Sequence, residues 1–174
     1  MKAIFLDRDG TLVQDTGYIH KAEDFKLQPN AIEGLKKLSK FKIFIVTNQS
    51  GIGRGLYNLQ DFKKFNERMI EKFDKHKIKI EKVYYCPHTP EDNCECRKPK
   101  TKLLQEAKRD FGIELEKSYV IGDQKADIEL GRNASCRQIL VLTGNGNKTK
   151  NEIKADFVAK DLLDAAKWII KNDK

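Results

Sequence analysis

Two acidic side chains follow the first predicted strand, Asp7 and Asp9 in the segment Asp7-Arg8-Asp9-Gly10-Thr11. Residues i and i+2 of an extended segment point to the same side, so these carboxylates lie next to each other. Adjacent carboxylates repel unless one is protonated or a cation lies between them. Mg²⁺ is a hard cation that prefers such oxygen ligands. The pair therefore indicates a magnesium site, and a turn capped by two acids is the weaker interpretation.

Further polar groups follow later strands or precede helices, where they could bind an anion. Segment 47–53, TNQSGIG, offers a hydroxyl, two amides and backbone N–H groups that can surround a phosphate, although such clusters also form ordinary turns. Arg97 and Lys98 supply positive charge just before a predicted helix. Asp123 follows the fourth strand as a third carboxylate. Asp127 lies one helical turn further on, as either a helix N-cap or an acid that orients its neighbours.

Soft metal ligands are concentrated in segment 86–96, which we call the cysteine loop. Cys86, His88, Cys94 and Cys96 provide three thiolates and one imidazole within eleven residues, a set that suits tetrahedral Zn²⁺. Four protein ligands close the coordination sphere, so the predicted role of the zinc is structural. The alternative is a loop of free cysteines. Cys136 lies on or near a strand and is expected to be buried without a metal.

The elements that must position these groups alternate along the chain. The hydrophobic patterns predict strands at about 3–6, 42–46, 82–85, 119–121, 138–142 and 157–158 and helices at about 29–39, 59–77, 100–111, 127–133 and 161–171. Such alternation predicts an α/β fold, a Rossmann-like three-layer α/β/α sandwich with a mainly parallel sheet. Ligands of these folds bind beyond the carboxyl ends of the strands, where the polar groups lie.

Length and composition favour a single domain over residues 1–174, in the cytoplasm, with reduced thiols. No apolar stretch is long enough to cross a membrane, and the first strand leaves no room for a signal peptide. The net charge of +8 favours anionic partners. The lysines are spread widely and lack interleaved aromatic residues, so a solvated surface is expected rather than a nucleic-acid interface.

The motifs and their order resemble the haloacid dehalogenase (HAD) superfamily of phosphotransferases, subfamily IIIA, over roughly residues 1–145. The resemblance implies that Asp7 is a nucleophile that forms an aspartyl-phosphate, and that Asp9 is the general acid and then the base. It also implies Mg²⁺ held by Asp7, the Asp9 backbone carbonyl and Asp123. Phosphate charge would be balanced by that ion and by Arg97 and Lys98, and Thr47 would add a hydrogen bond.

The same resemblance implies an enzyme without a cap domain, because sheet, helices and cysteine loop occupy the segments between the motifs. Specificity would then come from loops 15–26, 50–58 and 86–99, and the substrate would be a small phosphorylated metabolite bound by a monomer. The expected substrate contacts are Arg8, Asp15, Gly17, Tyr18, Asn48, Gln49, Ser50, Arg54 and Gln124. Asp127 is expected to orient the catalytic groups rather than to bind the metal.

Two groups of phosphatases within the superfamily share the zinc loop followed by Arg-Lys-Pro. Segments 15–20, 47–55 and 141–144 are similar to the phosphatases of heptose bisphosphate. Segments 94–102 and 118–123 are similar to the phosphatases of histidinol phosphate. The loops favour the sugar phosphate, with histidinol phosphate as the alternative. A polynucleotide 3′-phosphatase and a non-catalytic zinc-binding module fit the motifs less well.

Overall fold

The computed structural model describes residues 1–173. The strands are β1 (Ala3–Leu6), β2 (Lys42–Asn48), β3 (Lys82–Cys86), β4 (Tyr119–Gly122), β5 (Arg137–Val141) and β6 (Phe157–Ala159). The helices are α1 (Ala31–Lys37), α2 (Ser50–Gly53), α3 (Leu59–Asp74), α4 (Lys102–Phe111), α5 (Lys125–Asn133), α6 (Gly146–Thr149) and α7 (Leu162–Asn172). None of the helices within residues 1–173 combines the length and apolar character needed to traverse a membrane.

The sheet has the order β3-β2-β1-β4-β5-β6, and all its neighbouring strands are parallel. Strand β1 is central, with Leu6 in register with Ile45 of β2 and with Ile121 of β4. The chain builds β2 and β3 on one side of β1 and then crosses to β4 on the other. The carboxyl end of β1 therefore lies at the point where the strand order reverses, which is the usual ligand crevice of such sheets.

Two apolar clusters fill the space on the two faces of the sheet, as the predicted three-layer fold requires. Ile4 and Leu6 belong to the cluster that also contains the inner faces of α1, α3 and α7. Ala3 and Phe5 belong to the cluster covered by α4 and part of α5. Since β1 is covered on both faces, its sequence is continuously apolar rather than alternating.

Two predicted helix ends are confirmed by their capping residues. Gly112 adopts a left-handed conformation with φ 65° and ends α4, a position where glycine avoids the steric cost of a Cβ. Asp161 accepts a hydrogen bond from the backbone N–H of Asp164 and caps α7.

Other boundaries differ from the predicted ones for local reasons. Helix α1 begins only after Asn30, which has φ 61°, and α3 ends before Lys77, which has φ 60°. Helix α5 begins earlier than predicted, with Gln124 as its N-cap and Asp127 as the third helical residue of a capping box. Residues 50–53, within the expected loop 50–58, form the short helix α2, and residues 146–149, for which no helix was predicted, form the short helix α6.

Candidate active site

The carboxyl ends of the strands bring four charged side chains together. Asp7 follows β1 and Asp123 follows β4, while Asp127 lies in the first turn of α5. Lys98 Nζ donates to Asp7 Oδ1 at 2.7 Å, to Asp127 Oδ1 at 2.6 Å and to the Val46 carbonyl at 2.9 Å. None of the four charged side chains belongs to a residue more than 6% exposed. Residues from three distant segments thus form one buried charged cluster, and we call its three carboxylates, Asp7, Asp123 and Asp127, the acid cluster.

Asn48, the last residue of β2, holds the backbone on both sides of Lys98. The Lys98 N–H donates to Asn48 Oδ1 at 3.0 Å, and Asn48 Nδ2 donates to the Lys98 carbonyl at 3.4 Å. Asn48 was expected to contact substrate. It also lines the pocket described below, but these two bonds make it a support that fixes where the lysine enters the acid cluster.

Burial and mutual repulsion set the ionisation of the acid cluster. Burial raises the pKa of Asp7 well above its usual value. The positive charge of Lys98 lowers this pKa, and the negative charges of Asp127 and Asp123 raise it further. Burial, followed by the charge of Asp127, raises the pKa of Asp123 to about 7. Burial alone would lower the pKa of Lys98, but the two carboxylates it bonds raise it above its usual value. If all three carboxylates were ionised, they would leave an excess of negative charge around the one ammonium, which protons or a bound cation can offset.

Backbone closes tightly around Asp123. Its Oδ2 accepts a 2.7 Å hydrogen bond from the Asn145 N–H, and its Oδ1 accepts one from Thr11 Oγ1 at 3.4 Å. A Cβ on Gly10 or on Gly144 would lie 2.3 Å from Asp123 Oδ2, and both glycines have positive φ. Only residues without a side chain fit at these two positions, so the loops after β1 and β5 are shaped to enclose this carboxylate.

Asp9 is held by its sequence neighbour. Arg8 Nε donates to Asp9 Oδ1 at 2.8 Å and Arg8 Nη2 donates to Oδ2 at 3.0 Å. The guanidinium is 1% exposed, lies 4.5 Å from the Phe65 ring centroid, and also donates to Asn66 Oδ1 at 3.3 Å. The expected contact between Arg8 and the substrate is not what the structure shows, because this side chain is buried behind the site and already paired.

The acids face a pocket of about 270 Å³. It brings together most of the residues that the sequence singled out, and three that it did not. The predicted lining residues are Asp7, Asp9, Asp15, Gly17, Tyr18, Thr47, Asn48, Gln49, Ser50, Arg97, Lys98, Gln124 and Asp127, and the additional ones are Ile19, Tyr57 and Ala126. The pocket therefore unites the predicted phosphate-binding groups with residues of all three predicted specificity loops.

Arg54, another expected substrate contact, lies outside this lining. Its guanidinium pairs with Glu91 at 3.6 Å, and its side chain is exposed. A larger cleft of about 570 Å³ at the amino ends of the strands has Lys42 and Lys79 paired with Glu81. The two groups of side chains that could hold a metal among residues 1–173 lie outside this cleft.

The cysteine loop brings its four predicted ligands together. Cys94 Sγ lies 3.4 Å from Cys86 Sγ and 3.6 Å from Cys96 Sγ. His88 Nδ1 lies 3.2 Å from Cys96 Sγ and 3.6 Å from Cys86 Sγ. Burial opposes ionisation of Cys94, but its hydrogen bonds with Cys86 and Cys96 outweigh burial and lower its pKa to about 7. Cys136 lies apart, buried, with its thiol directed at the Ala134 carbonyl.

Backbone hydrogen bonds join the cysteine loop to the pocket. The Gln49 N–H donates to the Cys86 carbonyl at 2.7 Å, and the Gly53 N–H donates to the Pro87 carbonyl at 2.9 Å. Arg97, which lines the pocket, donates to the His88 carbonyl at 3.3 Å. The conformation of the loop therefore controls where Arg97 lies.

Comparison with known proteins agrees with this geometry. The model of the HAD-hyrolase-like family matches residues 95–165. D-glycero-beta-D-manno-heptose-1,7-bisphosphate 7-phosphatase of Helicobacter pylori strain J99 is 41% identical over 171 residues, 97% of either chain. The chain belongs to this family of HAD-like phosphatases.

Two further relatives of this phosphatase are similar to it over most of the chain. D-glycero-alpha-D-manno-heptose-1,7-bisphosphate 7-phosphatase of Campylobacter jejuni is 40% identical over 87% of this chain and 86% of its own. The crystal structure of D,D-heptose 1,7-bisphosphate phosphatase from B. bronchiseptica, complexed with magnesium and phosphate, has a TM-score of 0.92 at 28% identity. That likeness covers 98% of this chain and 99% of the other.

Sequence reasoning missed Tyr57, which lies in the pocket of this phosphatase between α2 and α3. Its hydroxyl donates to Gln49 Oε1 at 2.5 Å, and its ring stacks on His20 with centroids 4.7 Å apart. No motif marks Tyr57, because its partners are eight and 37 residues away. Ile19 and Ala126 could not be predicted as pocket residues either, because apolar side chains that line a pocket look the same in the sequence as core residues.

Proposed function

We propose that the phosphatase removes the 7-phosphate of D-glycero-D-manno-heptose 1,7-bisphosphate. The observation that carries the proposal is the buried Asp7–Lys98–Asp127 arrangement at the floor of a 270 Å³ pocket. The names of relatives about 40% identical over most of the chain support the sugar substrate. The similarity extends across both halves of the chain, so it favours heptose bisphosphate over histidinol phosphate.

In the proposed first step, an Asp7 carboxylate oxygen bonds to phosphorus while the bond from phosphorus to the sugar oxygen breaks. Asp9 gives its proton to that leaving oxygen. In the second step, water attacks the aspartyl-phosphate, Asp9 takes a proton from the water, and the Asp7–phosphorus bond breaks. Inorganic phosphate leaves and both aspartates return to their starting states.

Three other residues would bind the phosphate, one through a hydrogen bond and two through positive charge. Thr47 Oγ1 accepts a 2.8 Å hydrogen bond from Gln49 Nε2, which leaves its own proton to donate to a phosphate oxygen. Lys98 and Arg97 line the same pocket and bring two positive charges to it. Lys98 also neutralises part of the acid cluster, which lets a carboxylate approach an anion.

The acid cluster fits a divalent cation. Carboxylate oxygens of Asp7, Asp123 and Asp127 lie within 4.8 Å of one another. When they are ionised, they carry more negative charge than the single Lys98 ammonium neutralises, which suits a divalent cation. Asp127 already bonds Lys98 through Oδ1 and the Gln124 N–H through Oδ2, so it orients the cluster rather than binding metal. We assign Mg²⁺ to Asp7, the Asp9 carbonyl and Asp123. Bound Mg²⁺ would supply positive charge to the phosphate oxygens.

The cysteine loop fits Zn²⁺ in a structural role. Its four donor atoms lie within 4.8 Å of one another, and the sulfur separations of 3.4 and 3.6 Å are slightly shorter than the roughly 3.8 Å expected for two thiolates on one tetrahedral zinc ion. Such ligation needs reduced thiolates, so we propose a cytoplasmic protein. One sheet with a core on each face supports a single domain, and we propose that it acts as a monomer.

The proposal is tested by measuring kcat/KM for phosphate release with Mg²⁺. The substrates are both anomers of heptose 1,7-bisphosphate, histidinol phosphate and a 3′-phosphorylated oligonucleotide. We expect heptose bisphosphate to be preferred by about 100-fold, or roughly 2.7 kcal/mol of transition-state discrimination. A preference for histidinol phosphate, or similar low rates on all substrates, would contradict the proposed substrate. A steep salt dependence with the oligonucleotide as best substrate would indicate a nucleic-acid enzyme.

A further inference from the structure

Gln49 lines the pocket, yet its amide has no hydrogen-bonding capacity left for a substrate. Nε2 donates to Asp9 Oδ2 at 2.7 Å and to Thr47 Oγ1 at 2.8 Å. Oε1 accepts from Arg8 Nη2 at 3.1 Å and from the Tyr57 hydroxyl at 2.5 Å. An amide has two N–H donors and two acceptor lone pairs, so these four bonds use all of them. Gln49 is therefore part of the support of the site, not the substrate contact expected from the sequence.

The direction of the Gln49 amide is determined by its neighbours. Arg8 is a donor only, so the group facing it must be the oxygen Oε1. The Tyr57 hydroxyl donates to the same oxygen, and burial raises the Tyr57 pKa to about 12, which keeps its proton in place at neutral pH. With the oxygen held on one side, the NH₂ group must face Asp9 and Thr47.

This arrangement makes the two oxygens of Asp9 different. Oδ2 accepts from both Arg8 Nη2 and Gln49 Nε2, whereas Oδ1 accepts from Arg8 Nε. Each carboxylate oxygen has two lone pairs in its plane. Both lone pairs of Oδ2 are occupied by these donors, while Oδ1 retains one lone pair on which a proton can be carried.

We propose that Tyr57 is a positioning residue that acts through Gln49 to select Oδ1 of Asp9 as the oxygen that exchanges the proton. The inference rests on the proposed function, since it assigns the atom at which the general acid works. Tyr57 itself touches neither Asp9 nor the reacting atoms. It holds Gln49 Oε1, and Gln49 in turn occupies Oδ2.

Close packing restricts the position of the Tyr57 ring. His20 stacks on one face with an interplanar angle of 10°. Gly51 lies so close that a Cβ there would be 2.1 Å from Tyr57 Cε1. The ring thus packs between loop 15–26 and α2, and this packing fixes the position of the hydroxyl relative to Gln49.

The test is the variant Tyr57→Phe, which keeps the ring and removes the hydroxyl. A sugar phosphate has a poor leaving group that needs the proton of Asp9, whereas p-nitrophenyl phosphate releases a stable phenolate that does not. We expect kcat/KM for heptose bisphosphate to fall about fivefold, equivalent to roughly 1 kcal/mol, and kcat/KM for p-nitrophenyl phosphate to fall less than about twofold. In a Gln49→Met background, Tyr57→Phe should cause no further loss, because Tyr57 acts through Gln49.

The matched control is Tyr84→Phe. The Tyr84 hydroxyl is buried on β3 and has no hydrogen-bond partner within residues 1–173. Removing it takes the same atom from a site remote from Asp9, so both substrates should be turned over at wild-type rates. Melting temperatures of both variants check that neither change disturbs the fold.

A crystal structure of Tyr57→Phe gives a second readout that does not depend on activity. We expect the 2.7 Å contact between Gln49 Nε2 and Asp9 Oδ2 to lengthen or break. An unchanged contact, an equal loss on both substrates, or a loss that persists in the Gln49→Met background would each overturn the positioning role. If wild type releases no phosphate from either substrate, the proposed function fails, while this contact still decides whether Tyr57 positions Asp9.

Discussion

The acid cluster and the cysteine loop are both groups of potential metal ligands, but the protein supports them differently. Asp7, Lys98 and Asp127 are buried at the ends of strands and beside a helix, and they bond one another. Cys94 and Cys96 are only partly buried and His88 is exposed. Apart from a three-residue 3₁₀ turn, the residues between the cysteine-loop ligands form no regular element.

The difference implies that a metal bound in the cysteine loop would mainly serve folding, whereas a metal bound in the acid cluster would mainly serve chemistry. The acid cluster is organised by hydrogen bonds and by the sheet, so a cation there would mainly cancel charge. The cysteine loop has little apolar burial of its own, so a bound ion would supply much of the free energy that holds it. Arg97 is common to both regions, because it bonds the His88 carbonyl and lines the pocket.

The largest effect should come from Asp7→Asn. Without the nucleophilic carboxylate, we expect phosphatase turnover to fall by about four orders of magnitude or more. Because the cysteine loop is held separately, zinc content and melting temperature should stay close to those of wild type. Measuring phosphate release by the purified variant, together with metal analysis of the same sample, tests both the loss of turnover and the retention of zinc. Retained turnover would rule out a covalent step at Asp7.

An effect on stability should follow from Cys94→Ser, which removes one zinc ligand. We expect zinc content to drop and the free energy of unfolding to fall by about 3 kcal/mol, which lowers Tm by roughly 6–12 °C in a chain of this size. The remaining folded fraction should keep the acid cluster, so activity should decline mainly through the position of Arg97.

Cys136→Ala is the control for that prediction, since Cys136 is buried away from the other cysteines. Its zinc content should equal that of wild type. Loss of zinc in this variant, or absence of zinc from wild type purified without chelators, would show that the four-ligand assignment is wrong.

A smaller, pH-dependent effect is expected for Asp123→Asn. Burial raises the folded-state pKa of Asp123 to about 7, while the unfolded chain releases this proton near pH 4. Between these values the folded protein binds more protons than the unfolded one, so raising the pH costs stability until about pH 7. Asparagine removes that cost, and the variant should gain stability relative to wild type from about pH 4 to 7 and then level off.

Urea unfolding in magnesium-free buffer, repeated across this pH range, measures the gain. Added MgCl₂ should stabilise wild type above pH 7 and leave Asp123→Asn nearly unchanged, since the variant lacks an anionic ligand. A difference between the two proteins that is constant across pH would contradict the buried, charge-repelled state of Asp123.

Much of the site was predictable because its acidic groups are single residues that directly follow strands. Asp7 and Asp123 follow apolar strands, and in a parallel sheet those ends meet at one edge whatever the helices do. The ligand spacing of the cysteine loop was equally local. The roles of Arg8 and Gln49 were not predictable, because a charged or amide side chain near a phosphate site looks the same whether it faces the substrate or its neighbours.

The sequence by itself determined the kinds of chemistry: paired carboxylates after a strand, a basic pair before a helix, and soft ligands at zinc spacing. The tertiary structure decided which of these groups are free to act. Arg8 packs against Asn66 and Phe65 of α3 and is kept away from the pocket. Tyr57 is one of the four partners that together use the whole hydrogen-bonding capacity of Gln49. The physical reason is that hydrogen-bonding capacity is finite, and only packing between distant segments settles which partners use it.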